Sequence, residues 1–171
     1  MSRAISIDGQ NHTITFTNTG QNLVVAASGA EVYNLKVANT ADTVSWNSTY
    51  GIQFYNGTYN IHDVSVTGAN AGILINSSTA TIGANVDVSG NNFGGIEVSK
   101  SAGAGTSASQ ATVTSKIVNT TEEYGKPTMW TDGEDATVVD NTGMTATTAV
   151  KEGQTQYYLL AENATSPDAG A

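Results

Sequence analysis

Val64-Ser65-Val66 is followed by Gly68, and about 22 residues later Val86-Asp87-Val88 is followed by Gly90. Gly72-Ile73-Leu74-Ile75 answers in the same way to Gly95-Ile96-Glu97-Val98. A unit this short cannot bury its own apolar face. Stacking on a neighbouring copy supplies both the hydrophobic partner and the backbone hydrogen bonds. Apolar residues alternate within each unit, and Gly and Asn punctuate it. The stacked element is therefore a coil of short strands and tight turns, a parallel β-solenoid.

The pattern extends in both directions. One side of the coil is anchored by Ile14/Phe16, Leu35/Val37, Val64/Val66, Val86/Val88 and Ile117. A second side carries Leu23/Val25, Ile52/Phe54, Ile73/Ile75, Ile96/Val98 and Thr128/Trp130. A third carries Val32, Ile61, Ile82 and Val113. Because strand side chains alternate between faces, a slip of one residue would turn every anchor outward. At the corners the reading stacks Asn18 on Asn39 and Gly68 on Gly90. Two coils are enlarged: Ala38 to Gly51 holds Trp46 and Tyr50, and Lys100 to Gln110 is a Gly/Ser/Ala-rich loop.

Beyond Thr120 the repeat weakens. Ala136–Val139, Thr147–Val150 and Tyr157–Leu160 read as strands, and Lys151–Gln154 suits a hairpin turn. A solenoid end exposes unpaired strand edges, so a cover is expected there. The chain thus reads as one domain over residues 1–171: coils over 5–130, a C-terminal β-hairpin cap over 131–162 and a tail over 163–171.

Composition narrows the partners. Only 12% of residues are charged, and the net charge is −9. No basic patch is available to neutralise phosphates, which argues against nucleic acid. No apolar run is long enough to span a membrane. There is no cysteine, so disulfides and thiolate metal sites are excluded. No signal peptide or anchor is read in this chain, so an exported parent would carry them elsewhere.

With the rungs in register, the V-x-V-x-G units at 64–68 and 86–90 and the G-I-x-V/F/I units at 51–54, 72–75 and 95–98 resemble the right-handed parallel β-helix group, the pectin-lyase-like superfamily. The resemblance covers roughly residues 5–130. It implies a right-handed, single-stranded, all-β parallel β-helix of about five coils. In texture the chain is similar to adhesin-like and S-layer-like surface repeat domains of anaerobic bacteria. That similarity implies an extracellular or cell-surface protein, sometimes an enzyme on polysaccharides and often not. A lyase of this group would use a basic residue, typically Arg, and the only Arg here is Arg3.

Three sets of residues are candidates for chemistry. Asp63 and Asp87 fall outward on adjacent rungs roughly 8 Å apart, a separation suited to an inverting carboxylate pair. They carry the enzymatic alternative. Trp46, Tyr50 and Tyr55 are candidates for stacking on sugar rings. Asp132, Glu134 and Asp135 offer hard oxygen ligands for Ca2+, although their spacing matches no established calcium loop. The leading expectation is a non-catalytic structural or adhesive module without a cofactor, whose partners are glycans or further copies of itself.

Overall fold

The computed structural model describes residues 5–44, 48–100 and 107–167. Among them the chain is all-β, with a single 3-10 turn at Ala161–Ala164. It visits three sheets in rotation. The first contains β1 (Ser6–Asp8), β4 (Ala30–Tyr33), β7 (Thr58–Ile61), β10 (Thr79–Ile82), β13 (Ser109–Val113) and β16 (Ala136–Asp140), all parallel. The second contains β2 (Thr13–Phe16), β5 (Leu35–Asn39), β8 (Val64–Thr67), β11 (Val86–Asp87) and β14 (Ile117–Val118), again parallel. The third stacks β3 (Leu23–Val25), β6 (Tyr50–Tyr55), β9 (Ala71–Asn76), β12 (Gly94–Ser99) and β15 (Met129–Asp132) in parallel. An antiparallel hairpin of β17 (Thr147–Lys151) and β18 (Gln154–Tyr158) then joins that sheet alongside β15. Parallel pairing therefore continues through β16; among the described strands the hairpin is what reverses direction. Of the expected loop from Lys100 to Gln110, residues 101–106 lie outside the described residues, and Ser109 and Gln110 already belong to β13.

The expected columns line the interior. Val32, Ile61, Ile82 and Val113 pair in sequence along the first sheet. Ile52, Ile73, Ile96 and Met129 do so along the third. All eight are buried, in one continuous hydrophobic cluster. Each such aliphatic side chain contributes about 1.5–3 kcal/mol on leaving water.

The corners are made by residues in the left-handed region. Asn34, Asp63 and Asn85 each precede a strand of the second sheet, with φ of 50°, 52° and 56°. Gly68 and Gly90, both at φ 76°, turn the chain from the second sheet toward the third. The Gly68 amide donates to the Gly90 carbonyl at 3.1 Å. Asn, Asp and Gly are the residue types that tolerate this backbone, so the punctuation in the sequence has a direct conformational cause.

Register departs from expectation in three places. Leu35, Val64, Val86 and Ile117 form one column, but Ile14 pairs with Val37 rather than Leu35. The turn from β1 to β2 is two residues longer than the matching turn from β4 to β5. Gly9, within that longer turn, lies over Leu35, so close that a Cβ there would sit 2.8 Å from the Leu35 Cβ. The shift of two preserves the facing of each side chain. It also puts Phe16, not Asn18, beside Asn39. Finally, Met129 aligns with Ile96 and Trp130 with Glu97, so Trp130 lies on the outer face rather than in the inner column. The irregular segment before β15 conceals that one-residue change of phase.

Candidate functional site

The outer face of the third sheet is not a simple solvated face. Gln53, Leu74, Glu97 and Trp130 form one outward row across β6, β9, β12 and β15. Gln53 and Leu74 are each 3% exposed and Trp130 is 1% exposed, so this row is largely covered. Trp130 makes an edge-on contact with Phe93 at 4.8 Å between centroids and 76° between planes. Tyr50, Ala71 and Leu74 complete this second apolar cluster, separate from the one that fills the coil interior.

A small cleft opens in this face. Tyr50, Phe93, Glu97, Trp130, Asp132 and Gln154 border it. The strand pairing explains the convergence. Glu97 lies opposite Trp130, and Ser99 lies opposite Asp132, so both carboxyls project from adjacent strands two residues apart. The Ser99 hydroxyl donates to Glu97 Oε1 at 2.8 Å. Burial pushes the Glu97 carboxyl up to about 7, reinforced by the charge of Asp132 and opposed by hydrogen bonds from Ser99 and Tyr50. Burial, together with Glu97, raises the Tyr50 hydroxyl well above the ordinary tyrosine range. The cleft thus holds a carboxyl that exchanges its proton near neutrality, beside a second carboxyl and three aromatic side chains.

The residues singled out in the sequence are distributed unevenly around it. Tyr50 and Asp132 enter the cleft. Trp46 lies outside the described residues. Tyr55 is partly exposed at the end of β6, and its carbonyl accepts the Tyr59 hydroxyl at 2.6 Å. Asp135 is bound to Lys100 Nζ at 2.8 Å, and Glu134 is exposed in the same turn. Among the described residues no three His, Asp or Glu side chains gather to hold a metal ion.

Asp63 and Asp87 have separate local roles. Asp63 occupies the left-handed corner, where its carboxylate accepts Asn85 Nδ2 at 2.6 Å and lies 2.6 Å from His62 Nδ1. Asp87 sits on β11 and accepts the Ser89 amide at 2.9 Å, closing a turn. His62 also reaches Glu31 at 3.3 Å and stacks on Tyr33 at 5.1 Å between centroids. These contacts bind one rung to the next along the first corner.

Glu97 is not a candidate on sequence grounds, because in Gly-Ile-Glu-Val it reads as one more outward polar residue. A signal is nevertheless present. Leu74 occupies the equivalent outward position one rung earlier, and an apolar residue there marks a face that is covered.

No protein-family model matches this chain, and neither a curated protein nor a solved structure matches it.

Proposed function

We propose that this chain is a non-catalytic, rigid β-helix module of a secreted or cell-surface bacterial protein, and that it makes contact with glycans. In this reading the stacked strands are five coils of a right-handed β-helix, and the β17–β18 hairpin is its cap. The observation that carries it is the engagement of the outward carboxylates: Asp63 is bound into a corner ladder and Asp87 into a turn. Asp63 so used ties one rung to the next, and Asp87 closes a turn within its own rung. Edge strands at the opposite end support a stacking role as well. Ile14 on β2, in line with the inward Val37, is 40% exposed there, and among the described residues β2 and β3 are each paired on one side only.

A competing reading, hydrolysis of a polysaccharide, is favoured by one observation. Glu97 is a carboxyl held near neutrality beside a second carboxyl, which is what general acid–base work on a glycosidic bond requires. A glycan array combined with a reducing-sugar assay separates the two. Binding without turnover is expected. Turnover lost in Glu97→Gln or Asp132→Asn would overturn the non-catalytic reading, and the absence of any glycan binding would remove the contact with glycans.

A further inference from the structure

We propose that the cleft between Glu97 and Asp132 receives the ammonium group of an amino sugar, with the rest of the saccharide lying along the adjoining groove. This rests on the reading of the module as a glycan contact and specifies where and what it binds.

The case begins with unbalanced charge. Two carboxyls border one cleft, and among the described residues no lysine, arginine or histidine forms an ion pair with either. The cations near other acidic groups are already engaged, Lys100 with Asp135 and Lys126 with Glu123. Tyr50, Phe93 and Trp130 border the cleft; Trp130 and Tyr50 are buried, and the half-buried Phe93 ring is the one within reach of an organic cation. Burial and the charge of Asp132 hold the Glu97 carboxyl up. An ammonium group would provide a positive partner, and binding would release a proton from Glu97.

Size decides how much of the ligand enters. The cleft holds about 90 Å³, well below the roughly 300 Å³ at which pockets begin to enclose whole small molecules. It admits a functional group, not a complete ligand. A larger groove of about 330 Å³ adjoins it and shares Phe93 and Gln154. Asn92 and Gln154 line that groove with carboxamides suited to hydroxyls, while Gln156 beneath them is fully buried and bonded to Tyr158 and Gln154. Lys126, Lys151 and Glu152 border it too, and with two ammonium groups to one carboxylate the balance of charge disfavours a second cation. The arrangement therefore matches one ammonium on a neutral polyhydroxylated body better than a polybasic peptide. A peptide strand has no edge to add to here, since β12 and β15 are each hydrogen-bonded on both sides.

The test is titration calorimetry at about pH 6 with a glucosamine hexamer and its fully N-acetylated counterpart, in buffers of different ionisation enthalpy. The glucosamine hexamer is expected to bind roughly tenfold or more tightly than the acetylated one and to release up to about one proton. Glu97→Gln should abolish the proton release, and Asp132→Asn should weaken binding to a similar extent. Phe93→Ala provides a third variant that leaves both carboxyls in place and should also weaken binding. Thermal melts confirm that each variant is folded. Equal affinity for the two hexamers, affinity unmoved by the variants, or preferential binding of an oligolysine would overturn the proposal. Binding of the acetylated hexamer independent of Glu97 would remove the cleft assignment and leave the glycan reading standing. Failure of every glycan on an array to bind would remove both.

Discussion

Gly95 stands where Val88, just after β11, presses against the entry to the third sheet: a side chain on Gly95 would collide with Val88 Cγ2 and with the Thr128 carbonyl oxygen. Gly51 occupies the same place one turn before Gly72, and a side chain there would collide with Val66 Cγ1. At Gly72 the Asn91 carboxamide takes the place of the valine, so the glycine of each Gly-Ile unit is enclosed, by valine at two rungs and by Asn91 at the one between. Gly95→Ala is expected to cost about 3 kcal/mol, because neither the packed valine nor the hydrogen-bonded carbonyl can retreat. For a chain of this length that is a fall of roughly 6–12 °C in Tm. Gly133, at φ 90° with nothing within 4 Å of where a Cβ would stand, is the control. Gly133→Ala should cost only about 1 kcal/mol of backbone strain. Equal losses from the two substitutions would remove the packing explanation.

Asn91 is 5% exposed and makes three hydrogen bonds to backbone inside the second corner. Its Nδ2 donates to the carbonyls of Val66 at 2.9 Å and Val88 at 2.8 Å, and its Oδ1 accepts the Ala69 amide at 3.0 Å. Removing the side chain strands three polar groups away from water. Asn91→Ala should cost about 3 kcal/mol in urea denaturation. Asn91→Asp should be at least as harmful, since it loses both donated bonds and introduces charge. A loss below about 1 kcal/mol for both would mean that water replaces the side chain without penalty.

These two positions mark what the sequence discloses and what it hides. The alternation of Val and Ile gives the columns of all three sheets, because a half-buried strand leaves a period of two. The Asn and Gly corners are legible because left-handed backbone selects those residues. The position of Ile14 is not legible, since it depends on the length of one turn. The facing of Trp130 is lost for a similar reason: the preceding segment from Thr120 to Thr128 has no repeat to count by. The cleft at Glu97 depends on segments folded over an outer face, and nothing in the spacing of Glu97 and Asp132 reports their convergence. Tyr50 and Asp132 stand out in the sequence for other chemistry, and only tertiary packing makes them neighbours.

His62 should make stability depend on pH in the near-neutral range. Hydrogen bonding to Asp63 raises its pKa, and Glu31 adds to the effect against some burial. A histidine whose folded value is raised stabilises fully below its unfolded value of about 6.5. That contribution is lost as pH rises through the folded value. Asp63 behaves in the opposite sense. Hydrogen bonds from Asn85 and His62 lower its pKa, so its contribution is present above its unfolded value and is lost on acidification. His62→Gln should flatten the fall in Tm across the near-neutral range and shrink the acid limb to the part that Asn85 maintains. A proton titration followed by NMR should place the His62 ring above the unperturbed value. A ring that titrates at or below that value would sever the link between this corner and the pH profile.

Glu97 imposes a second dependence with its own sign. Its folded value is raised from 4.5 to about 7. The folded chain therefore holds a proton on Glu97 that the unfolded chain releases between those values. Stability is greatest below the unfolded value and falls as pH rises toward about 7. Allowing for the solvent that reaches the cleft, the loss is on the order of 2 kcal/mol. Glu97→Gln keeps a group of similar shape and removes the charge, so it should abolish this limb and leave the variant more stable than the parent above neutrality. Asp132→Asn removes the repulsion between the two carboxyls and so lowers the folded Glu97 value partway, leaving burial as the larger cause. The limb should then end at lower pH, with a smaller amplitude than in the parent. Urea melts from about pH 4 to pH 9 on the three proteins read all of these quantities. A parent profile no steeper than that of Glu97→Gln would mean that the Glu97 carboxyl ionises freely in the folded chain.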